Sequence, residues 1–329
     1  MKTNNNIGII GTGSYLPKKI MTNYDLEKIV DTSDEWIYTR TGIKERRIAE
    51  GESTSDLAFK AGLKAIESAG IDRDEIDMII VATMSPDQPT PATACLVQKK
   101  LGCRQIPSFD ISAACSGFIY GLSMAYAYIS SGLCKKILLI GAEKMSSIID
   151  WEDRSTCVLF GDGAGAVVVG EVDNEGILGF SLGSDGSGAE KLIVPSGGSV
   201  LPITKERLEK RENYIKMNGS DIFKFAVKKL PEIANNILKE LDMRTEELDY
   251  MIPHQANIRI IDSANKKLKL GKEKILVNLN KYGNMSAASI PVALDESIDS
   301  KKIKKNDTIL LIGFGGGLTW GTSVLKSSI

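Results

Sequence analysis

The chain has 329 residues, enough for two domains of ordinary size or one large duplicated one, so a small disulfide-stapled scaffold is excluded. Its 41 Lys and Arg against 42 Asp and Glu leave a net charge of -1, with 43% hydrophobic and 25% charged residues. That balance fits an ordinary globular protein and offers no basic excess for nucleic acid or an anionic membrane, while the single histidine, His254, rules out every site built on two imidazoles.

From the N-terminus, the start MKTNNNIGIIGTG has too short an apolar run for a signal peptide, and no stretch approaches the ~18 apolar residues of a membrane span. A cytoplasmic protein is expected. Gly11-Thr12-Gly13 lacks the third glycine of a dinucleotide fingerprint, and Gly161 to Ala166 matches it only loosely, so nucleotide binding by that motif is rejected. Cys95, Cys103, Cys115, Cys134 and Cys157 are odd in number and contain no Cys-x-x-Cys, which argues for a reducing compartment and against a thiolate zinc site.

Further along, the chain repeats itself. Asp74 to Ile80 (DEIDMII) pairs with Glu246 to Ile252 (EELDYMI), and Ile137 to Gly141 (ILLIG) recurs unchanged as Ile309 to Gly313, both at an offset of 172 residues. Each copy carries an acidic turn, a short apolar strand, an amphipathic segment and a second apolar strand. Alternation of this kind predicts βαβ units and a mostly parallel sheet in each of two α/β halves, residues 1–171 and 172–329, with a turn at Asp173 to Gly176. No Pro- or Ser-rich linker separates them, so their contact is expected to be extensive, with a site between equivalent strand ends.

Four fragments at predicted strand ends could carry chemistry. In Phe109 to Phe118 (FDISAACSGF), Cys115 falls at the turn into a helical pattern running through Ile129, where free N–H groups and the helix dipole would favour a thiolate. A buried inert cysteine is the commoner state of a free thiol, and both readings stand on this fragment alone. His254 in Pro253-His254-Gln255-Ala256-Asn257 follows the second copy's apolar run and precedes a helix over 258–268. Asn284 opens Asn284-Met285-Ser286-Ala287-Ala288-Ser289, and the repeat offset puts Ala287 where the first half has Cys115. Finally, Gly315-Gly316-Gly317 after the second ILLIG lets the backbone approach a ligand and present N–H donors. A structural histidine, an ordinary turn asparagine and a flexible glycine turn are the plain alternatives.

Taken together and in order, these fragments resemble β-ketoacyl-acyl-carrier-protein synthase III, the condensing enzyme that initiates bacterial type II fatty acid synthesis. The resemblance extends over nearly the whole chain, through Asp31 to Ile37 (DTSDEWI) and Arg40 to Ile43 (RTGI) as far as Gly321. It implies an α/β, thiolase-like fold, a duplicated half arranged in five αβαβα layers, and a homodimer. It further implies that Cys115 is acylated by acyl-CoA, that the N–H groups of Cys115 and Gly316 form an oxyanion hole, and that His254 and Asn284 act on malonyl-acyl-carrier-protein. Acyl-CoA is then a substrate and no cofactor is implied, the primer expected being acetyl-CoA. The single histidine separates this pattern from Cys-His-His elongating enzymes, while thiolases use a second cysteine and hydroxymethylglutaryl-CoA synthases a glutamate.

By the same resemblance Trp36, Arg40, Arg154, Phe160 and Asn257 line a CoA and pantetheine tunnel, with Lys224 near its mouth and Trp36 and Arg154 sandwiching adenine. Arg259, Lys266 and Lys267 lie in the helix expected to dock the acidic carrier protein. Two positions depart from the pattern. Met285 stands where the family usually has Thr, and Thr90 where several relatives carry Phe at the end of the acyl pocket, leaving room for longer or branched primers. Other readings are a relative acting in secondary metabolism, a Cys-His-Asn hydrolase of papain type, whose surrounding motifs are lacking, and a binding module with an unreactive Cys115.

Overall fold

The computed structural model describes residues 6–329; the first five residues of the start read for a targeting signal lie outside them. The first sheet is built from β1 (Ile7–Tyr15), β2 (Met78–Ala82), β3 (Ser108–Ile111), β4 (Ile137–Lys144) and β5 (Asp162–Glu171), in the order β1-β5-β4-β2-β3. The second comprises β6 (Ile177–Ser184), β7 (Tyr250–Pro253), β8 (Thr308–Gly315) and β9 (Thr319–Lys326), in the order β7-β8-β9-β6. The repeat survives in the register itself. Met78 pairs with Ile137 in parallel and Tyr250 pairs with Ile309 in parallel, while Gly141 faces Gly165 and Gly313 faces Gly321 in antiparallel ladders.

The expectation of mostly parallel sheets is corrected here: both sheets are mixed. β5 runs antiparallel to β4 and to β1, and β9 runs antiparallel to β8 and to β6. In the second sheet the reason is chain length, because only Gly316-Gly317-Leu318 joins β8 to β9, too little for the crossover that a parallel neighbour requires; in the first, β5 runs antiparallel to β4 although residues 145–161 separate them.

Helices cover both faces of each sheet, which is why β4 and β8 read as unbroken apolar runs. On the outer face of the first sheet lie α1 (Thr54–Ser68) and α2 (Thr93–Leu101); α1 opens with a capping box in which Ser53 and Asp56 satisfy each other's N–H. Its Leu57, Ala58, Ala61 and Ala65 pack on Leu138, Ile140 and Val168. Between the sheets run α3 (Gly117–Ser130) and, after α4 (Gly219–Glu240) and α5 (Ile258–Leu268), α6 (Ser289–Asp299). Phe118, Ile119 and Leu122 of α3 and Ile290 and Leu294 of α6 meet Leu139 from one sheet and Leu311 from the other. Strand alternation sends Leu310 and Ile312 the opposite way, against Ile237 of α4 and Ile260 and Ile261 of α5. The layers are therefore α1/α2, first sheet, α3/α6, second sheet and α4/α5. Among the described residues no helix is long and apolar enough to cross a membrane.

Candidate active site

Both central helices start from the same strained turn. Ala114 and Ser286 each hold φ 46°, in the left-handed region that a residue with a Cβ rarely adopts, and each opens a single 3-10 turn, Ala114–Ser116 and Ser286–Ala288. These turns lead directly into α3 and α6 at the 172-residue offset. In the first, the residue lifted onto the turn is Cys115; in the second it is Ala287. Thr319 fastens the Cys115 turn to the glycine turn, its Oγ1 lying 3.0 Å from the Ala113 carbonyl and 3.1 Å from the Gly316 carbonyl.

Three further elements converge on Cys115. His254 follows β7, its N–H donating to the Ile312 carbonyl at 2.7 Å and its ring standing edge-on to Phe314 at 5.8 Å. The turn behind it is pinned by buried Gln255, whose Nε2 donates to the Pro253 carbonyl (2.6 Å) and whose Oε1 accepts from the Asn278 N–H (3.0 Å). Asn284 is held through its backbone, donating to Leu159 at 2.9 Å and accepting from Gly161 at 3.0 Å. Its Oδ1 accepts the Ser286 N–H at 2.8 Å, which leaves the Nδ2 donor for the cavity. A Cβ on Gly315 would come within 2.6 Å of the Cys115 nitrogen, so only glycine allows β8 to lie against that N–H.

Cys115, His254, Asn284, Phe160, Phe314 and Gly315 line one cavity. Leu159, Leu192, Met217, Ile222, Phe223, Ala256, Asn257 and Ile260 continue its wall outward, giving an apolar passage with a few convergent polar groups. Gly316 is not among the lining residues; it follows Gly315 and packs beside Leu192.

The electrostatics differ from the expected thiolate. Burial pushes the Cys115 thiol up to about 12, with Glu143 raising it further and Ser286 opposing. The helix-start position does not offset desolvation, because Cys115 is only 5% exposed. Burial likewise pulls His254 down to about 3. At rest the pair is a neutral thiol and a neutral imidazole, the latter able to donate but not charged.

Trp36, Arg40, Arg154 and Lys224 are not among the lining residues; Trp36 sits on the helix Asp34–Thr41 with the Arg154 guanidinium 4.8 Å from its ring and that of Arg40 at 5.6 Å. Arg154 also donates to the Asp31 carbonyl at 2.8 Å, which holds it against Trp36. Asn257 caps α5 through the Arg259 N–H (2.9 Å) and donates to the Arg40 carbonyl (3.0 Å), tying the two walls together. Lys224 is exposed beside Phe223, 4.0 Å from Asp221, and the Arg259 guanidinium lies 5.4 Å from the Phe223 ring. Lys266 and Lys267 are exposed on the last turn of α5, with Lys267 Nζ donating to the Val227 carbonyl at 3.0 Å.

Thr90 is exposed and is not among the residues of this chain that line the cavity. Asp87 anchors its segment at the start of α1 instead, accepting from the Ser55 N–H (2.8 Å) and Oγ (2.6 Å). Met285 is fully buried with Tyr282, Ala288, Val292 and Leu16, a packing role beside Asn284. Sequence reasoning missed Gln255, Ser286 and Glu143; the offset that paired Cys115 with Ala287 also pairs Glu143 with Gly315, and would have singled it out. Among the described residues no group of three His, Cys, Asp or Glu side chains could hold a metal ion.

Residues 109–186 match the 3-oxoacyl-[acyl-carrier-protein] synthase III family and residues 238–327 its C-terminal region. A β-ketoacyl-[acyl-carrier-protein] synthase III of Clostridioides difficile strain 630 is 55% identical over 324 residues, 98% of this chain and 99% of that one. The synthase III of Caldanaerobacter subterraneus subsp. tengcongensis is 55% identical over 323 residues, 98% of each chain. The crystal structure of 3-oxoacyl-[acyl-carrier-protein] synthase III from Aquifex aeolicus VF5 superposes with a TM-score of 0.91 at 50% identity, covering 98% of this chain and 100% of that one.

Proposed function

Because the chain belongs to the β-ketoacyl-[acyl-carrier-protein] synthase III family, an acyltransferase family whose condensation initiates type II fatty acid synthesis, we propose how its residues divide the two half-reactions. In the first, Cys115 Sγ attacks the thioester carbonyl of an acyl-CoA primer. The N–H groups of Cys115 and Gly316 hold the oxyanion while CoA leaves. Acetyl-CoA is the primer we assign, admitted along the passage by Asn257 and Phe160, with Lys224 near its mouth. Trp36, Arg40 and Arg154 bind the nucleotide end, Arg154 lifting from Trp36 to admit the adenine.

In the second half-reaction malonyl-acyl-carrier-protein enters the same passage. Neutral His254 and the Nδ2 of Asn284 donate to its thioester carbonyl, stabilising the enolate formed as CO2 departs. The carbanion attacks the acyl group on Cys115, releases 3-oxoacyl-acyl-carrier-protein and returns the sulfur. An uncharged imidazole suits this role, since it donates its N–H while carrying no positive charge to pair with, and so retain, the departing carboxylate. Arg259, Lys266 and Lys267 meet the acidic carrier protein, and the functional unit is a homodimer of chains each folded from halves 1–171 and 172–329, in the cytoplasm.

What supports the reading is the convergence of Cys115, His254 and Asn284 on one cavity, with the cysteine on a strained turn at a helix start. The test is to supply acetyl-CoA and malonyl-acyl-carrier-protein and follow CO2 and the carrier-protein product by mass. Asn284→Ala is expected to keep acylation but lose CO2 release; equal loss of both, or of neither, contradicts the division of labour.

A further inference from the structure

At the end of β4 lies a carboxylate that the half-reactions above leave unused. Glu143 is wholly buried, and its partners are all neutral: the Ser85 hydroxyl (2.5 Å), the Met84 N–H (3.1 Å), the Thr83 hydroxyl (3.2 Å) and the Ala287 N–H (3.5 Å). Its counterpart at the repeat offset is Gly315. The two halves thus treat equivalent turns differently: glycine leaves the Cys115 N–H open, whereas a carboxylate caps the Ala287 N–H. A buried carboxylate without a cation is costly to keep, which invites a functional explanation.

Ser286 lies on the turn that links this carboxylate to the nucleophile: its neighbour Ala287 gives its N–H to Glu143, and the turn Ser286–Ala288 packs against the turn Ala114–Ser116 that carries Cys115. The Ser286 side chain acts on both Cys115 and Glu143, lowering each, and Glu143 in turn raises the thiol. Yet Ser286 Oγ is buried without a hydrogen bond of ordinary geometry, and its backbone is held at φ 46° with its N–H committed to Asn284. A buried hydroxyl with no committed partner, on a turn that touches both the Cys115 turn and Glu143, is free to rotate and pass a proton from one to the other. The remaining charged groups near β4 turn elsewhere. Lys144 Nζ donates to the Glu52 carbonyl (2.6 Å), Asp162 accepts from the Ala49 N–H and Ser146, and Asp110 accepts from the N–H groups of Thr93 and Ala94. Among the described residues, the titratable groups facing this cluster are Cys115 and, across the cavity, His254.

We propose that Glu143 takes the Cys115 thiol proton through the Ser286 hydroxyl during acylation and stores it until condensation returns the sulfur as a thiolate. This rests on Cys115 being the nucleophile. As Sγ bonds to the acyl carbon, its proton moves to Ser286 Oγ, the Ser286 proton moves to a Glu143 oxygen, and the carbonyl–S bond of the CoA thioester breaks. The CoA thiolate carries the electron pair away and is protonated by water. When the malonyl-derived carbanion displaces Cys115, the thiolate recovers its proton from Glu143 by the same path. The cycle then consumes one proton from solvent, matching the loss of CO2 from a carboxylate.

The acidities give the relay its direction. Burial pushes Glu143 up to about 7, near working pH, while the thiol lies at about 12 and His254 at about 3. Outward transfer must therefore accompany bond formation to sulfur, and the return is spontaneous.

The test uses the full-length protein, Ser286→Ala and Glu143→Gln, following acylation by acetyl-CoA from pH 5.5 to 9 by intact mass. The wild type is expected to show an inflection near neutrality. Both variants are expected to lose it and to acylate about 100-fold more slowly at pH 7.5, with half-saturating acetyl-CoA unchanged. Ser286→Ala removes a hydroxyl that makes no well-formed bond, so it decides the matter if Glu143→Gln does not fold. Wild-type rate and pH profile in Ser286→Ala, with label still on Cys115, overturn the relay and leave the nucleophile standing. Label absent from Cys115 in the wild type overturns both.

Discussion

Replacing Gly315 with alanine tests the geometry of acylation with a single methyl group. The added Cβ would lie 2.6 Å from the Cys115 nitrogen and 3.0 Å from Ala114 Cβ, against an ordinary contact of at least 3.4 Å. Gly315 does not hold a left-handed φ, so the effect comes from space alone. The Cys115 backbone must retreat by about 0.8 Å, and a displacement near 1 Å costs a reacting pair on the order of 10²-fold in rate. The overpacking itself costs about 1–3 kcal/mol, within reach of a folded protein. Acylation is followed by intact mass and folding by thermal denaturation, with Gly198→Ala, whose Cβ meets nothing within 4 Å, as the matched control. A folded Gly315→Ala that acylates at the wild-type rate would refute the close-approach argument.

Further predictions concern the second half-reaction, the nucleotide and pH. Asn284→Ala removes one donor to the developing enolate, so CO2 release from malonyl-acyl-carrier-protein should fall by about 10²–10³-fold in a steady-state assay. Arg154→Ala should raise the KM for acetyl-CoA about 2- to 5-fold with kcat unchanged, the value of an exposed cation–π contact, as read from initial rates. His254, at about 3 folded against about 6.5 unfolded, binds its proton more readily in the unfolded chain, so stability is lost as pH falls from about 6.5 towards 3. Glu143, raised to about 7, acts with the opposite sign: its contribution declines as pH rises from about 4.5 to 7. Melting temperatures across pH 4–8 for His254→Gln and Glu143→Gln should flatten these opposite slopes.

Much of the architecture could be read from particular strings. ILLIG and its copy became β4 and β8 because helices cover both faces of each, so every residue is apolar and the pattern repeats legibly. The direction of β9 was less evident, since it depends on the three-residue connection Gly316 to Leu318 rather than on strand composition. Cys115, His254 and Asn284 could be singled out from their places at strand ends, and the fold brings them to one cavity. Their acidities could not, because depth of burial, which sets Cys115 at about 12, is a property of the packed whole. The path of the Thr90 segment was likewise not legible, because Asp87 fixes it through Ser55, a contact across 32 residues. Glu143 escaped notice because an acidic residue ending an apolar strand looks like a solvated strand end, and only the repeat offset marks it as the partner of Gly315.

The central claim is that Cys115 carries the acyl group, and intact-protein mass after mixing with acetyl-CoA tests it most directly, with longer and branched acyl-CoAs alongside and Cys115→Ser as control. One acyl increment is expected, mapped to Cys115, absent from Cys115→Ser and discharged on adding malonyl-acyl-carrier-protein. A wild-type protein that gains no acyl mass from any donor, or gains it equally in Cys115→Ser, would contradict it.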